Sequence, residues 1–432
     1  MRYQFDSYKK TILMKLLFLF LLPFSLFAQT IPQPKQFKPL STTKSHNYNP
    51  FQKSGGLQQL RNQQQQQIYL QNQRRIAQLN RQLQQRAIVY QKILAEMKQE
   101  EGSIKSKEAY DKIQQQKQSY FQNYQKLYAM LQNPAPVSVK QAVYLVESAY
   151  FQNKMKQSDF EEKVDNLVSA CHYRMKQIGR NPTSYRAKLE TLNELFADTI
   201  RKVVDGREFV LSLPPQYDFE DPFGHQDFTK QFVSKLMTTQ NGQCHSLPLL
   251  YKILADELGV EAYLAYSPSH SYIKYKDEQG KFRNYETTNK HEVSNTWVMA
   301  SGFVNASAVK SRVFMDSISN RKLVANCLSD LASGYIHQFG YDEFVIYCAN
   351  TALKYYPESG SVHALKSNYI THDLSREFKK AKNPPLQNLA KTHPELAGKL
   401  EYLRAFYEKM DVMGYTTMAD DDYTKWIGKP AK

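Results

Sequence analysis

The chain has 432 residues, 41% of them apolar and 23% charged, with a formal net charge of +16. That length allows two or three domains, each with a core of its own, and four cysteines are too few for a disulfide-built scaffold of this size. The charge is uneven: residues 29–133 hold 16 Lys and Arg against 5 Asp and Glu, whereas 134–432 hold 37 against 35, so the basicity describes one segment and says little about the rest.

Lys9, Lys10 and Lys15 precede the apolar run LLFLFLLPFSLFA, Leu16 to Ala28. Thirteen residues are short for a membrane span, which needs about 20. The expectation is a cleavable signal peptide over 1–28, cut near Ala28, and a secreted or periplasmic protein with no transmembrane segment in its mature form. Residues 29–56 are rich in Pro, Lys, Ser, Thr and Asn and read as a disordered linker.

Residues 57–132 are Gln-rich, basic and helical in propensity. Ile76, Leu83, Tyr90 and Met97 recur every seven residues beside a second row of Leu79, Arg86 and Ile93, a partial coiled-coil pattern that Arg86 flaws. Gly102-Ser103 suggests a turn into a second helix with Tyr110, Ile113, Tyr120, Tyr124, Leu127 and Leu131 on one face. Such a segment can touch an anionic envelope surface, pair with a second copy, or simply dock on the next domain; nothing in it specifies nucleic acid.

Asn133-Pro134-Ala135-Pro136 marks a boundary, after which helical spacing runs through Val139 to Tyr150, Phe160 to Ile178 and Tyr185 to Val204. The stretch LSLPPQYDFEDPFGH (211–225) reads as a Pro-rich loop, and Phe228 to Met237 as helix. SLPLLYKILADEL, Ser246 to Leu258, is apolar at Leu247, Leu250, Leu254 and Leu258, with Gly259 as a stop. Pro248 is tolerated only in a helix's first turn, which sets the helix start near Cys244 to Leu247. A thiol there is acidified by the helix dipole, and the free N–H groups can donate to an oxyanion.

VEAYLAY (260–266) reads as a strand, SPSH as a turn, and His270 opens the alternating strand SYIKYK. The turn Asp277-Glu278-Gln279-Gly280 leads into the returning strand KFRNYETTN (281–289). Asn284 and Glu286, two apart, share a face of that strand, and either could reach a histidine on its neighbour. A thiol at a helix start, a histidine and a third polar group on adjacent strands are what acyl transfer through a covalent intermediate needs. No further ligands at zinc-like spacing accompany His245, so neither a metal site nor a cofactor is expected.

Gly242-Gln243-Cys244 before a helix, His270 opening a strand and Glu286-Thr287-Thr288 on the next strand resemble the transglutaminase-like superfamily of papain-type cysteine enzymes. The resemblance covers roughly residues 140–300 and implies an α+β fold with a helix packed on a small antiparallel sheet. It also implies a Cys–His–acid triad, here Cys244, His270 and Glu286, with Asn284 as the other candidate for the third position and Gln243 as a candidate oxyanion donor. The family more often carries Asp at the acid position and an aromatic residue after the cysteine, where this chain has Glu286 and His245. The stretch from YDFEDPFG through SPSH also looks like a bacterial branch in which such a domain, here 133–320, precedes tetratricopeptide-like helices and does not always keep the catalytic residues.

Residues 321–413 look like paired helices: Gly340, Ala352 and Pro357 fall loosely where a tetratricopeptide unit places a turn, a small packing residue and a stop. Cys327 and Cys348 could pair if their helices lie side by side, and 414–432 reads as a mobile tail. Two functions compete. One is an exported cysteine protease or amidase acting on a protein or peptide, with hydrolysis favoured over crosslinking because nothing specifies a lysine acceptor. The other is a catalytically inactive interaction or structural protein of the cell envelope.

Overall fold

A computed structural model describes residues 107–418 and 420–427. The expected signal peptide, the linker and the heptad pattern up to residue 106 lie outside the described residues. Among the described residues, 107–377 and 384–427 belong to one compact unit and 378–383 fall outside it. That unit carries the fold described below.

Helix α1 (Lys107–Gln132) has no proline, and its apolar residues Ile113, Tyr120, Leu127 and Leu131, spaced at near-heptad intervals, are all buried. Pro134 and Pro136 end it. Ser138 then caps α2 (Val139–Tyr150) by accepting from Gln141 N. Helices α3 (Gln157–Gln177) and α4 (Tyr185–Ala197) follow, the second capped by Ser184.

The helical reading of 185–204 is too long at its end. The chain leaves the helix at Asp198 and forms β1 (Ile200–Val204), which pairs antiparallel with β2 (Arg207–Ser212). The signal is Asp205-Gly206, both at positive φ (+49° and +76°), the Asp-Gly pair that two-residue hairpins favour. With β-branched residues before it, this turn outweighs the helical spacing.

Next come β3 (Gln216–Tyr217), a 3₁₀ turn (Phe228–Gln231), α5 (Val233–Thr239) and β4 (Asn241–Gly242), which pairs in parallel with β3. Helix α6 (Ser246–Leu258) ends at Gly259 in the left-handed conformation and has its apolar face wholly buried. It packs against the first two strands of a four-stranded antiparallel sheet, β5 (Ala262–Ser267), β6 (His270–Lys276), β7 (Phe282–Glu286) and β8 (His291–Val293), paired in that order. Strand β7 stops at Glu286, short of the expected Asn289, and the turn that follows feeds β8, which the sequence reading did not foresee.

Short helices α7 (Asn295–Ser301) and α8 (Ala306–Lys310) lead to α9 (Asn320–Phe339), α10 (Glu343–Tyr355), α11 (Gly360–Lys380), α12 (Leu389–Thr392) and α13 (Pro394–Met413). Helix α9 packs on α10, α2 and α1, so the first described helix and the later ones share a core that continues through α6 and the sheet to Ile427. The segment read as a mobile tail is docked: Asp420–Ile427 forms α14, with Tyr423 and Ile427 buried. The architecture is α+β, a small antiparallel sheet with helices gathered around it. No described helix is long and apolar enough to cross a membrane.

Candidate active site

The thiol is set by local backbone geometry. Strand β4 brings the chain past Leu236, and Gly242 is needed there because a Cβ would fall 2.5 Å from Ser246 Oγ and 2.9 Å from Leu236 Cδ1. Two residues later Cys244 stands immediately before His245, the N-cap of α6, with Pro248 in the first turn. Ser271 Oγ donates to the Cys244 carbonyl oxygen, and the thiol lies 3.9 Å from the Ser269 carbonyl oxygen. Cys244 is partly exposed, whereas Cys171, Cys327 and Cys348 are buried. Burial pushes the Cys171 thiol up to about 12 and those of Cys327 and Cys348 well above the usual range, which removes them as nucleophiles. All four are free thiols, so Cys327 and Cys348 do not pair although their helices are neighbours.

A two-residue turn, Pro268-Ser269, joins β5 to β6 and closes on the pair Ser267–His270. It delivers His270 to the sheet beside the thiol. His270 Nε2 lies 2.8 Å from Glu286 Oε2, and both side chains are nearly inaccessible to solvent. Burial by itself would lower the imidazole's pKa; the Glu286 carboxylate and a hydrogen bond with Cys244 more than reverse this and hold it well above the ordinary histidine value. The pair therefore favours an imidazolium whose other nitrogen faces the thiol.

Asn284 shares its face of β7 with Glu286 but does not reach His270. Its amide nitrogen donates to the Val293 carbonyl oxygen (3.2 Å) and to Asn295 Oδ1 (2.8 Å), which ties β7 to β8 and to the start of α7. Of the two candidates for the third position, Glu286 is the one on the imidazole. Gln243 does not serve the expected role either. It is buried, and its amide nitrogen donates to the Asp221 carbonyl oxygen, bracing the loop beside the thiol. In the first turn of α6 the Leu247 N–H already donates to the Gln243 carbonyl oxygen (3.0 Å) and Pro248 has none, so the main-chain N–H groups left to meet an oxyanion are those of Cys244 to Ser246.

Several residues of the site carried no motif. Asp221 is buried and accepts from the main-chain N–H groups of His225 (2.8 Å), Gln226 (3.1 Å) and Asp227 (3.0 Å), folding the Pro-rich loop against β4. That clustering of three donors on one carboxylate is visible only in three dimensions. Tyr217 and Tyr423 meet hydroxyl to hydroxyl at 3.3 Å. The Tyr423 hydroxyl also lies 3.3 Å from His270 Nδ1 and within hydrogen-bonding reach of the Cys244 thiol. Trp426 sets its ring edge to face against His270, centroids 4.6 Å apart, and leans on Trp297 at 5.6 Å.

Behind the site, Glu147 on α2 is buried and accepts from Val233 N (2.6 Å) and Ser234 N (3.0 Å) at the start of α5. Burial raises its carboxyl to about 7 against those two donors. His245 turns from the thiol toward Asp330 on α9, 3.7 Å away. Among the described residues no group of three or more His, Cys, Asp or Glu is placed to hold a metal ion. What the side chains can do is activate a thiol by a buried His–Glu pair and meet a developing negative charge with helix N–H groups. Compared with protein-family models, with curated proteins and with solved structures, the chain finds no match.

Proposed function

We propose that the protein is a transglutaminase-like cysteine enzyme that cleaves amide bonds through Cys244, His270 and Glu286. The observation that carries the reading is the buried 2.8 Å contact of His270 with Glu286, with the imidazole also hydrogen-bonded to a thiol just before a helix start. Support also comes from the order of elements, a helix followed by antiparallel strands bearing the base and the acid. In this reading the Cys244 thiolate adds to the carbonyl carbon of a peptide or other amide, and the electron pair moves to oxygen, stabilised by main-chain N–H groups of the Cys244–Ser246 stretch that opens α6. Collapse expels the amine, which takes the proton from His270 and leaves a thioester. Neutral His270 then accepts a proton from water as its oxygen attacks the thioester; collapse releases the acid and restores thiolate and imidazolium. Glu286 stays on His270 Nε2 throughout and fixes the tautomer. Water is favoured over an amine as acceptor because nothing in the sequence marks a lysine site, and the reading takes the apolar leader as an export signal.

A second reading, a non-catalytic interaction or structural protein, is favoured by one observation: His270 is only 4% exposed, beneath Tyr423 and Trp426. The rate of iodoacetamide labelling at Cys244 in wild type and His270→Ala, followed from pH 5 to 9 by peptide mass mapping, separates the two. The enzyme reading expects labelling at pH 6 to fall roughly tenfold or more in the variant, since His270 is then the group that takes the proton of the thiol. The ratio carries the answer, whatever the absolute rate; a ratio near one across the range sinks the enzyme reading.

A further inference from the structure

We propose that the C-terminal segment, residues 414–427, is an intramolecular plug that closes the Cys244–His270 site and has to leave before a substrate can enter. The proposal rests on the catalytic reading for its purpose, though its geometry stands apart from it.

The segment is steered onto the site from the end of α13. Gly414 adopts φ +77°, and a Cβ there would overlap Asn305 Oδ1 and fall 2.5 Å from Ala308 N, so only glycine makes this exit. Asn305 Nδ2 donates to the Gly414 carbonyl oxygen (3.0 Å), and Ser311 Oγ to that of Met413 (2.5 Å). Tyr415 packs on Phe314 and over Gly360, which again has no room for a Cβ. Met418 is clasped at both ends by one hydroxyl: its N–H donates to Ser269 Oγ (2.9 Å), and that hydroxyl donates to its carbonyl oxygen (3.3 Å). Ser269 is the turn residue beside both Cys244 and His270. The helix that follows then places Tyr423, fully buried, between Tyr217, Phe223 and His270, and lays Trp426 over the imidazole.

Met418, Tyr423 and Ile427 join the core, yet two features mark the segment as a removable cover. The hydroxyl of Tyr423 occupies the imidazole edge and the side of the thiol that an incoming carbonyl has to use, so the closed form cannot turn over. The indole N–H of Trp426 is enclosed without an acceptor, so its seat is incompletely satisfied and leaving it restores a hydrogen bond to water. The residues that hold the segment at its root, Asn305, Ser311 and Phe314, grip Met413 to Tyr415 and would remain as its hinge.

The test uses the full-length chain and iodoacetamide, with labelling at Cys244 timed by mass mapping at pH 8.5, where activation by His270 matters least. Gly414→Ala distorts the exit without touching the site, and Trp426→Ala empties the seat. Wild type should label roughly tenfold or more slowly than either variant. A synthetic peptide GYTTMADDDYTKWI, the sequence of residues 414–427, added to Gly414→Ala should slow it again. A wild-type rate equal to that of the unfolded chain in urea overturns the plug whether or not either variant folds, as does equal labelling of wild type and two folded variants. Fast labelling of the variants that is indifferent to His270 at every pH leaves the plug standing and removes the enzyme. Fast, His270-dependent labelling of wild type at pH 6 does the reverse.

Discussion

Glu286→Gln is the most informative single substitution, because it keeps the shape of the side chain and removes only its charge. Opposite unit charges 2.8 Å apart attract by about 6 kcal/mol at an effective dielectric of about 20. Several kcal/mol of that offset the cost of holding two ions away from water, leaving a net contribution on the order of 2 kcal/mol. The sign with pH follows from the competing causes on His270, where burial lowers the pKa and Glu286, together with Cys244, more than reverses it. In wild type the folded pKa stands above the unfolded value of about 6.5, so the contribution is complete below about pH 6.5 and is lost as pH rises through the folded value. In the variant burial acts with less opposition, so the folded pKa falls and this contribution shrinks. Urea unfolding of both proteins at several pH values between 6 and 9.5 should show wild type ahead by about 2 kcal/mol at pH 6, with the gap closing toward the alkaline end. The imidazole resonance of His270 should titrate at lower pH in the variant. A gap that is constant or widens with pH refutes the assignment of Glu286 as the partner that holds His270 charged.

Three further outcomes are expected. Glu147, raised by burial to about 7, gives a contribution that is full below its unfolded pKa of about 4.5 and lost as pH rises through about 7; Glu147→Gln should remove a fall of about 3 kcal/mol from the stability profile between pH 4.5 and 7, and an unchanged profile would count against it. Asp221→Ala leaves three main-chain donors without their carboxylate and should cost about 3 kcal/mol, with new protease cleavage between residues 218 and 227 as the local readout; resistance equal to wild type would contradict its bracing role. Thiol counting in denaturant without reductant should give four per chain, and a count of two would mean that a pair the structure keeps apart has formed.

The parts of the site that could be read from sequence are those set by short-range rules. Pro248 fixed where α6 begins and so where Cys244 stands; the turn before His270 and the Asp-Glu-Gln-Gly turn after it fixed two strands. Choosing between Asn284 and Glu286 needed the register of β7 against the imidazole, because residues two apart on a strand present the same face and differ only by the distance along it. The β1–β2 hairpin was announced by Asp205-Gly206, a signal outweighed in the sequence reading by helical spacing that ran through it. Gln243 was misassigned because its neighbour Asp221 lies 22 residues earlier and no local pattern ties the two. Tyr423 and Trp426 stand three apart behind Asp420, Asp421 and Asp422, which is what a short helix with an acidic first turn and one aromatic face looks like. Taking the end of the chain for a loose tail hid that signal.

The spacing of these contacts along the chain also orders the assembly of the site. Cys244, His270 and Glu286 all come from 43 consecutive residues, within one helix and three adjacent strands, where loops are short and closure is fast. Their cover arrives from 149 to 153 residues further on, through Met418 and Tyr423. A chain emerging from the ribosome or a translocation pore therefore completes its thiol–imidazole pair well before it can shut it. For the time it takes residues 287–427 to appear and fold, Cys244 and His270 stand without the contacts of Met418 and Tyr423.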